Sequence, residues 1–243
     1  MQEIAESLRG TDKPVLIKNP VNPDLALWLG AVERLHNCDI QNLGVIHRGF
    51  STYEKTGYRN SPEWQIAIEL QSKFPNLPLI LDPSHIAGQR HLIGDLCQMG
   101  LDLNYDGFII ETHNDPDTAC SDAAQQIEPR MLANIVRELR AREKDNDGSE
   151  FKSQIKKLRT TIDLYDDQLL KIMSKRLAQV DEIEYLKKKT NVAILQTERW
   201  DEILDNMRMV GTELGLSQEF INIFVKAIHQ ESIDRQERIF KKN

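Results

Sequence analysis

The sequence predicts two architectures in one chain, an α/β part followed by an all-α part. Three observations carry this. All nine prolines lie at or before Pro129 and the remaining residues carry none, an abrupt change of grammar. Residues 1–142 alternate short β-branched or leucine-rich runs with amphipathic segments. Phe151–Lys189 contains neither Gly nor Pro and repeats apolar residues at spacings of three and four, which reads as one long helix of about 58 Å. The charged stretch 143–150, with Gly148 and Ser149, reads as a linker, so the expected domains are 1–142 and 151–243.

Within the first part, strands are expected at PVLIKNP (14–20), LGVIHRG (43–49), LPLILDP (77–83) and GFIIETH (107–113). Helices are expected over 2–9, 23–36 after Asn22, 62–74 after Ser61, 89–101 and 128–142. Strand followed by helix, repeated, predicts parallel βα units. Chemically capable residues stand at the end of every strand: Lys18, then His47 and Arg48, then Asp82 and His85, then Glu111 and His113. Such placement suits the catalytic face of a (β/α)8 TIM barrel, where side chains from several strand ends converge. Four strands make the C-terminal half of such a barrel and leave two unpaired edges. The chain also opens on a helix, as if something preceded Met1.

Composition narrows the function classes. Acidic residues outnumber basic ones, 38 to 31, so no global field favours nucleic acid or an anionic membrane, and an anionic ligand needs local cations. Cys38, Cys97 and Cys120 lie far apart with no CxxC spacing, which argues against a disulfide framework or zinc ribbon and fits a reducing cytoplasm. No run approaches eighteen apolar residues, and the N-terminus lacks a signal-peptide pattern. A soluble, cytoplasmic protein that binds neither nucleic acid nor membrane is the expectation.

In the long helix the stripe Ile155, Leu158, Ile162, Tyr165, Leu169, Ile172 reaches Val180 through Arg176. Lys187 follows eleven residues later, a rotation of about 20°, so both cations share the seam roughly 16 Å apart. A seam cation is costly unless compensated, either by an internal ion pair or by an anionic ligand, and two in register favour the ligand. Arg159 precedes Arg176 by seventeen residues, a rotation of about −100°, and cannot enter the same pocket from one straight helix. After TNVAILQ (190–196), Thr197 is expected to cap a second helix carrying Arg199 and ending at Gly211 and Gly215. Ser217 caps a third, whose stripe Ile221, Phe224, Val225, Ile228 runs into Ser232 and Gln236.

Five motifs in order, KNPVNPDL, IHRGF, DPSHIAG, GFIIETH and SDAAQQ, resemble the second half of 3-deoxy-7-phosphoheptulonate (DAHP) synthase, the short type related to octulosonate phosphate synthase. That family is a (β/α)8 barrel condensing phosphoenolpyruvate with erythrose 4-phosphate at a divalent metal. The resemblance implies that Lys18 and Arg48 hold phosphoenolpyruvate, and that His85, Glu111 and Asp122 are metal ligands. One imidazole with two carboxylates suits Mn²⁺, Fe²⁺, Co²⁺ or Zn²⁺. The family's fourth ligand, a Cys on the first strand, has no counterpart among the three cysteines. With the first four strands missing, the chain is expected to bind metal weakly and not to make DAHP unaided.

The long–short–medium helical pattern over 151–240 resembles the all-helical chorismate mutase, an intertwined homodimer that uses no cofactor. The resemblance implies that Arg159 comes from the partner subunit, Arg176 and Arg199 hold substrate, Lys187 and Gln236 donate to the ether oxygen, and Ser232 contacts substrate. Where the family often has an Asp and a Glu near the substrate hydroxyl, this chain has Gln196 and Trp200. Together the two resemblances imply a bifunctional enzyme of aromatic amino-acid biosynthesis by the shikimate pathway. The alternative is a helical domain that dimerises and senses feedback ligands without catalysis, serving a synthase completed by another chain.

Overall fold

The computed structural model describes residues 2–53, 57–142, 148–190 and 197–241, with the side chains of 149, 188, 197–199 and 239–241 left out. The chain divides into two compact units, Met1–Asp145 and Asn146–Asn243.

In the first unit, β1 (Val15–Lys18), β2 (Leu43–His47), β3 (Leu79–Leu81) and β4 (Gly107–Phe108) form one parallel sheet in the order β1-β2-β3-β4. Helices α2 (Leu25–His36), α3 (Trp64–Lys73) and α5 (Ile93–Asp102) lie between successive strands in the chain, as parallel pairing requires. The result is a partial (β/α) barrel fold. Register does the functional positioning: Lys18 pairs with Ile46, His47 with Leu81, and Leu81 with Phe108. All four strands therefore finish on the same edge of the sheet. Behind that edge Trp28, Leu35, Ile40, Val45, Leu79 and Leu81 are fully buried in a continuous apolar core. Trp28 is also tied down at its polar end, its indole Nε1 donating to Ile17 O at 3.2 Å.

The strands are shorter than the sequence runs suggested. β4 stops after two residues, and the chain beyond it leaves the regular ladder, although Ile109 N still donates to Leu81 O at 2.9 Å and Thr112 bridges to Ile127. The cap of α2 is Asp24, not Asn22: its carboxylate accepts from Leu27 N. α3 begins at Trp64 because Glu63 sits at φ 41°, outside helical geometry. The segment expected as one helix over 89–101 is a 3₁₀ turn at Arg90–Leu92 leading into α5. A short helix before it, α4 (Pro83–Ala87), was not expected, although its signals are present: Pro83 at the first position and Asp82 as a cap accepting from His85 N at 3.1 Å. Helices α1 (Gln2–Leu8) and α6 (Pro129–Glu138) complete the unit.

The second unit holds α7 (Ser149–Thr190), α8 (Thr197–Glu213) and α9 (Gln218–Lys241), with α9 packed against both others. α7 starts two residues before the expected Phe151, inside the stretch read as linker; residues 143–147 and most of TNVAILQ lie outside the described residues. Ser217 caps α9 as expected, its Oγ accepting from Phe220 N at 3.2 Å. Gly211 does not end α8. It lies within the helix because a Cβ there would sit 2.6 Å from Ile221 Cδ1, so its absence lets α8 and α9 approach. The helix ends at Glu213 and is closed by hydrogen bonds from Leu216 N to Gly211 O and from Gly215 N to Thr212 O, around Gly215 at φ 79°. Gly211→Val is expected to destabilise this crossing by about 1–3 kcal/mol through overpacking, read as a lower urea midpoint with the slope unchanged.

Along α7 burial is uneven. Val180 is buried, whereas Leu158, Ile162, Tyr165, Leu169 and Ile172 remain 55–61% exposed. The apolar stripe that makes this segment amphipathic is uncovered in the single chain. No helix among the described residues is long and apolar enough to cross a membrane.

Candidate active sites

At the strand ends of the first unit, α4 carries His85 outward from the sheet edge, and Asp82, capping the same helix, lies beside it. Asp82 Oδ2 is 2.8 Å from His85 Nδ1 and 3.4 Å from Lys18 Nζ, although the imidazole contact is not aligned as a hydrogen bond. The other ring nitrogen, Nε2, faces Glu111 Oε1 at 3.6 Å. Asp122, held at φ 49° in a loop, comes to the same place, so that donor atoms of His85, Glu111 and Asp122 all lie within 4.8 Å of one another. Arg59 Nη1 donates to Asp122 Oδ1 at 2.7 Å and holds that carboxyl below its ordinary range, chiefly through this hydrogen bond.

The two cations expected with this cluster are both at the same sheet edge. Lys18 is exposed apart from its ion pair with Asp82. Arg48 is half-buried, and its backbone N–H is fixed by Asn19 Oδ1 at 2.7 Å. His47 belongs elsewhere. It is fully buried among Trp28, Phe50, Trp64 and Tyr105, its Nδ1 is 2.7 Å from Tyr105 Oη, and burial pushes its pKa down to about 4. Alternation explains this: His47 ends β2 facing the core, and the next residue, Arg48, turns the other way. His113 is engaged by its own loop, accepting at Nδ1 from Asp115 N at 3.0 Å.

In the second unit a cavity of about 540 Å³ lies between the helices, lined by Met173, Arg176, Ile203, Met207, Val225 and His229 among others. Arg176 Nη1 donates to Ser232 Oγ at 3.0 Å, and Ser232 Oγ donates to Ile228 O at 2.7 Å. Partial burial lowers the pKa of the guanidinium. Ser232 and Gln236 are both buried, one turn apart on α9, and Lys187 is half-buried on α7. Arg199 lies on α8, its side chain outside the described part, and Gln196 lies outside the described residues altogether. Arg159 is exposed, about 26 Å along the axis of α7 from Arg176. The single chain does not bring these two arginines together.

The sequence reading missed four participants. In the sequence Asp82 reads only as a strand-end residue, Gln125 only as part of the SDAAQQ motif, and Arg59 carries no signal, since pairing between distant loops leaves no periodic trace. His229 was legible: it follows Val225 by four and precedes Ser232 by three, in the same stripe. Its ring stands 4.2 Å from that of Trp200, and burial, then the nearby Arg176, lowers its pKa.

Comparison with known proteins assigns both units. The DAHP synthetase I family matches residues 1–145, more than half of the chain. The chain belongs to that family. Chorismate mutase type II matches residues 158–237, so this DAHP synthetase I family member carries a helical chorismate mutase domain in the same chain. The phospho-2-dehydro-3-deoxyheptonate aldolase of Thermotoga maritima is 30% identical over 129 residues, which cover 53% of this chain and 38% of that protein. The 2-dehydro-3-deoxyphosphooctonate aldolase of Prochlorococcus marinus is 25% identical over 151 residues, covering 57% and 52%. A truncated form of 3-deoxy-D-arabino-heptulosonate 7-phosphate synthase from Thermotoga maritima superimposes with a TM-score of 0.52 at 27% identity, covering 56% of this chain and 52% of that one. The chain spans about half or less of the length of the relatives it matches.

Proposed function

We propose that the helical domain, residues 151–243, converts chorismate to prephenate as a homodimer, in aromatic amino-acid biosynthesis. One observation carries this reading: Arg176, a cation in an apolar seam, lines a cavity of small-molecule size and is hydrogen-bonded to the buried Ser232, with Gln236 buried one turn further along α9. The chemistry needs no nucleophile or base. A dianion that rearranges by a pericyclic shift is accelerated by holding a folded conformer and by donors placed where the breaking ether oxygen gains charge. Arg176 and Arg199 hold carboxylates through forked hydrogen bonds, Lys187 and Gln236 donate to the ether oxygen, and Ser232 orients Arg176 while contacting substrate. Arg159 enters from the second subunit. Incubating the purified chain with chorismate and identifying the product by proton NMR tests the reading: prephenate is expected, and unchanged chorismate refutes it.

For the barrel part we infer that Lys18 and Arg48 bind phosphoenolpyruvate and that His85, Glu111 and Asp122 hold a divalent metal. The donor set fits a Mn²⁺, Fe²⁺, Co²⁺ or Zn²⁺ ion, because three nitrogen and oxygen donors already converge and a carboxylate stands behind the imidazole. Such an ion supplies Lewis acidity toward the aldehyde of erythrose 4-phosphate. Asp82 keeps His85 Nε2 directed at the cluster while drawing Lys18 to the same edge.

A further inference from the structure

Each of the three candidate metal ligands has a neighbour at one atom and presents another toward the cluster, and for the two carboxylates that neighbour is a hydrogen-bond donor. His85 has Asp82 beside Nδ1 and presents Nε2. Glu111 accepts at Oε2 from Gln125 Nε2 at 2.9 Å and presents Oε1 toward His85. Asp122 accepts at Oδ1 from Arg59 Nη1 at 2.7 Å, leaving Oδ2. The last two ties are one structure, since the same Arg59 Nη1 donates to Gln125 Oε1 at 2.7 Å and Gln125 is 1% exposed. A buried amide fixed at both ends has one orientation, so the two carboxylates cannot rotate independently.

Arg59 is in turn fastened to the ligand-bearing helix. Its backbone N–H donates to Ile86 O at 3.0 Å, and Asn60 Nδ2 donates to His85 O at 2.7 Å. Gly88, at φ 65°, leaves room for it, since a Cβ there would lie 2.5 Å from Arg59 Cβ. The strap 59–60 thus couples α4, which supplies the imidazole, to the loop that supplies Asp122.

We infer that Arg59 and Gln125 are positioning residues for the metal site, forming an outer bridge that aims Glu111 and Asp122 at the ion without touching it. The inference rests on the metal reading above. The rival account is electrostatic: a guanidinium beside the site repels a divalent ion, so removing it tightens binding. The two accounts predict opposite signs.

The experiment is Mn²⁺ titration of the full-length chain, with free ion read by its electron paramagnetic resonance signal. His85→Ala, Arg59→Gln and Gln125→Leu are titrated beside the unsubstituted protein. Arg59→Gln and Gln125→Leu are each expected to weaken binding about 10- to 100-fold, the range for residues that orient metal ligands. Arg59 is half exposed, so its variant decides the matter even if the buried Gln125 variant misfolds. Tighter or unchanged Mn²⁺ affinity in a folded Arg59→Gln chain overturns the positioning role while leaving the site intact. Binding unaffected by His85→Ala overturns the metal site itself, and this inference with it.

Discussion

Mixing Arg159→Ala chains with Arg176→Ala chains is expected to restore about a quarter of the unsubstituted mutase activity, although each variant alone loses most of it. Seventeen residues place Arg159 about −100° around and about 26 Å along the helix from Arg176, too far for one cavity. In the proposed homodimer a second α7 crossing the first would deliver Arg159 to the neighbouring site. Each heterodimer then has one site with both defects and one with neither, and random pairing makes half of the dimers heterodimeric. Subunit exchange followed by an activity assay reads the outcome. No gain on mixing means that both arginines serve one chain's own site.

The second large effect concerns the uncovered stripe. Ile162→Glu combined with Leu169→Glu is expected to convert the protein to a monomer in sedimentation and to abolish mutase activity, with helical circular dichroism largely retained. Both side chains are 55% exposed in the single chain, two turns apart on one face of α7. Covering an Ile or Leu contributes about 1.5–3 kcal/mol, and a buried unpaired carboxylate reverses that gain at each copy of the interface. An active, dimeric double variant places the interface elsewhere.

Much of this was legible because two periodicities are strong. The 3.6-residue stripe in α7 gives its length to within two residues at each margin, and Arg176 breaks the stripe visibly. Parallel strands separated by helices follow from alternation alone, and the register then collects Lys18, Arg48 and the Asp82–His85 corner at one edge. What escaped is what periodicity cannot encode. Gly211 reads as a helix end but serves a close helix crossing set by Ile221, a tertiary fact. His47 and Arg48 look equivalent at a strand end, yet one is sealed among aromatic rings and the other is half-buried. Arg59 reaches Asp122 across sixty-three residues of sequence, a pairing that only the folded loops reveal.

If chorismate occupies this cavity, Trp200 would offer its hydroxyl no acceptor in place of a carboxylate, whereas a neutral His229 imidazole at the cavity wall would offer one. Catalysis and mere sensing are separated by the initial rate of chorismate loss, followed by ultraviolet absorbance, across a range of protein concentrations. Saturable conversion is expected, with a rate per chain that falls on dilution as dimers dissociate. Saturable binding of chorismate with no absorbance loss at any protein concentration would contradict catalysis, leaving a helical domain that recognises the ligand without transforming it.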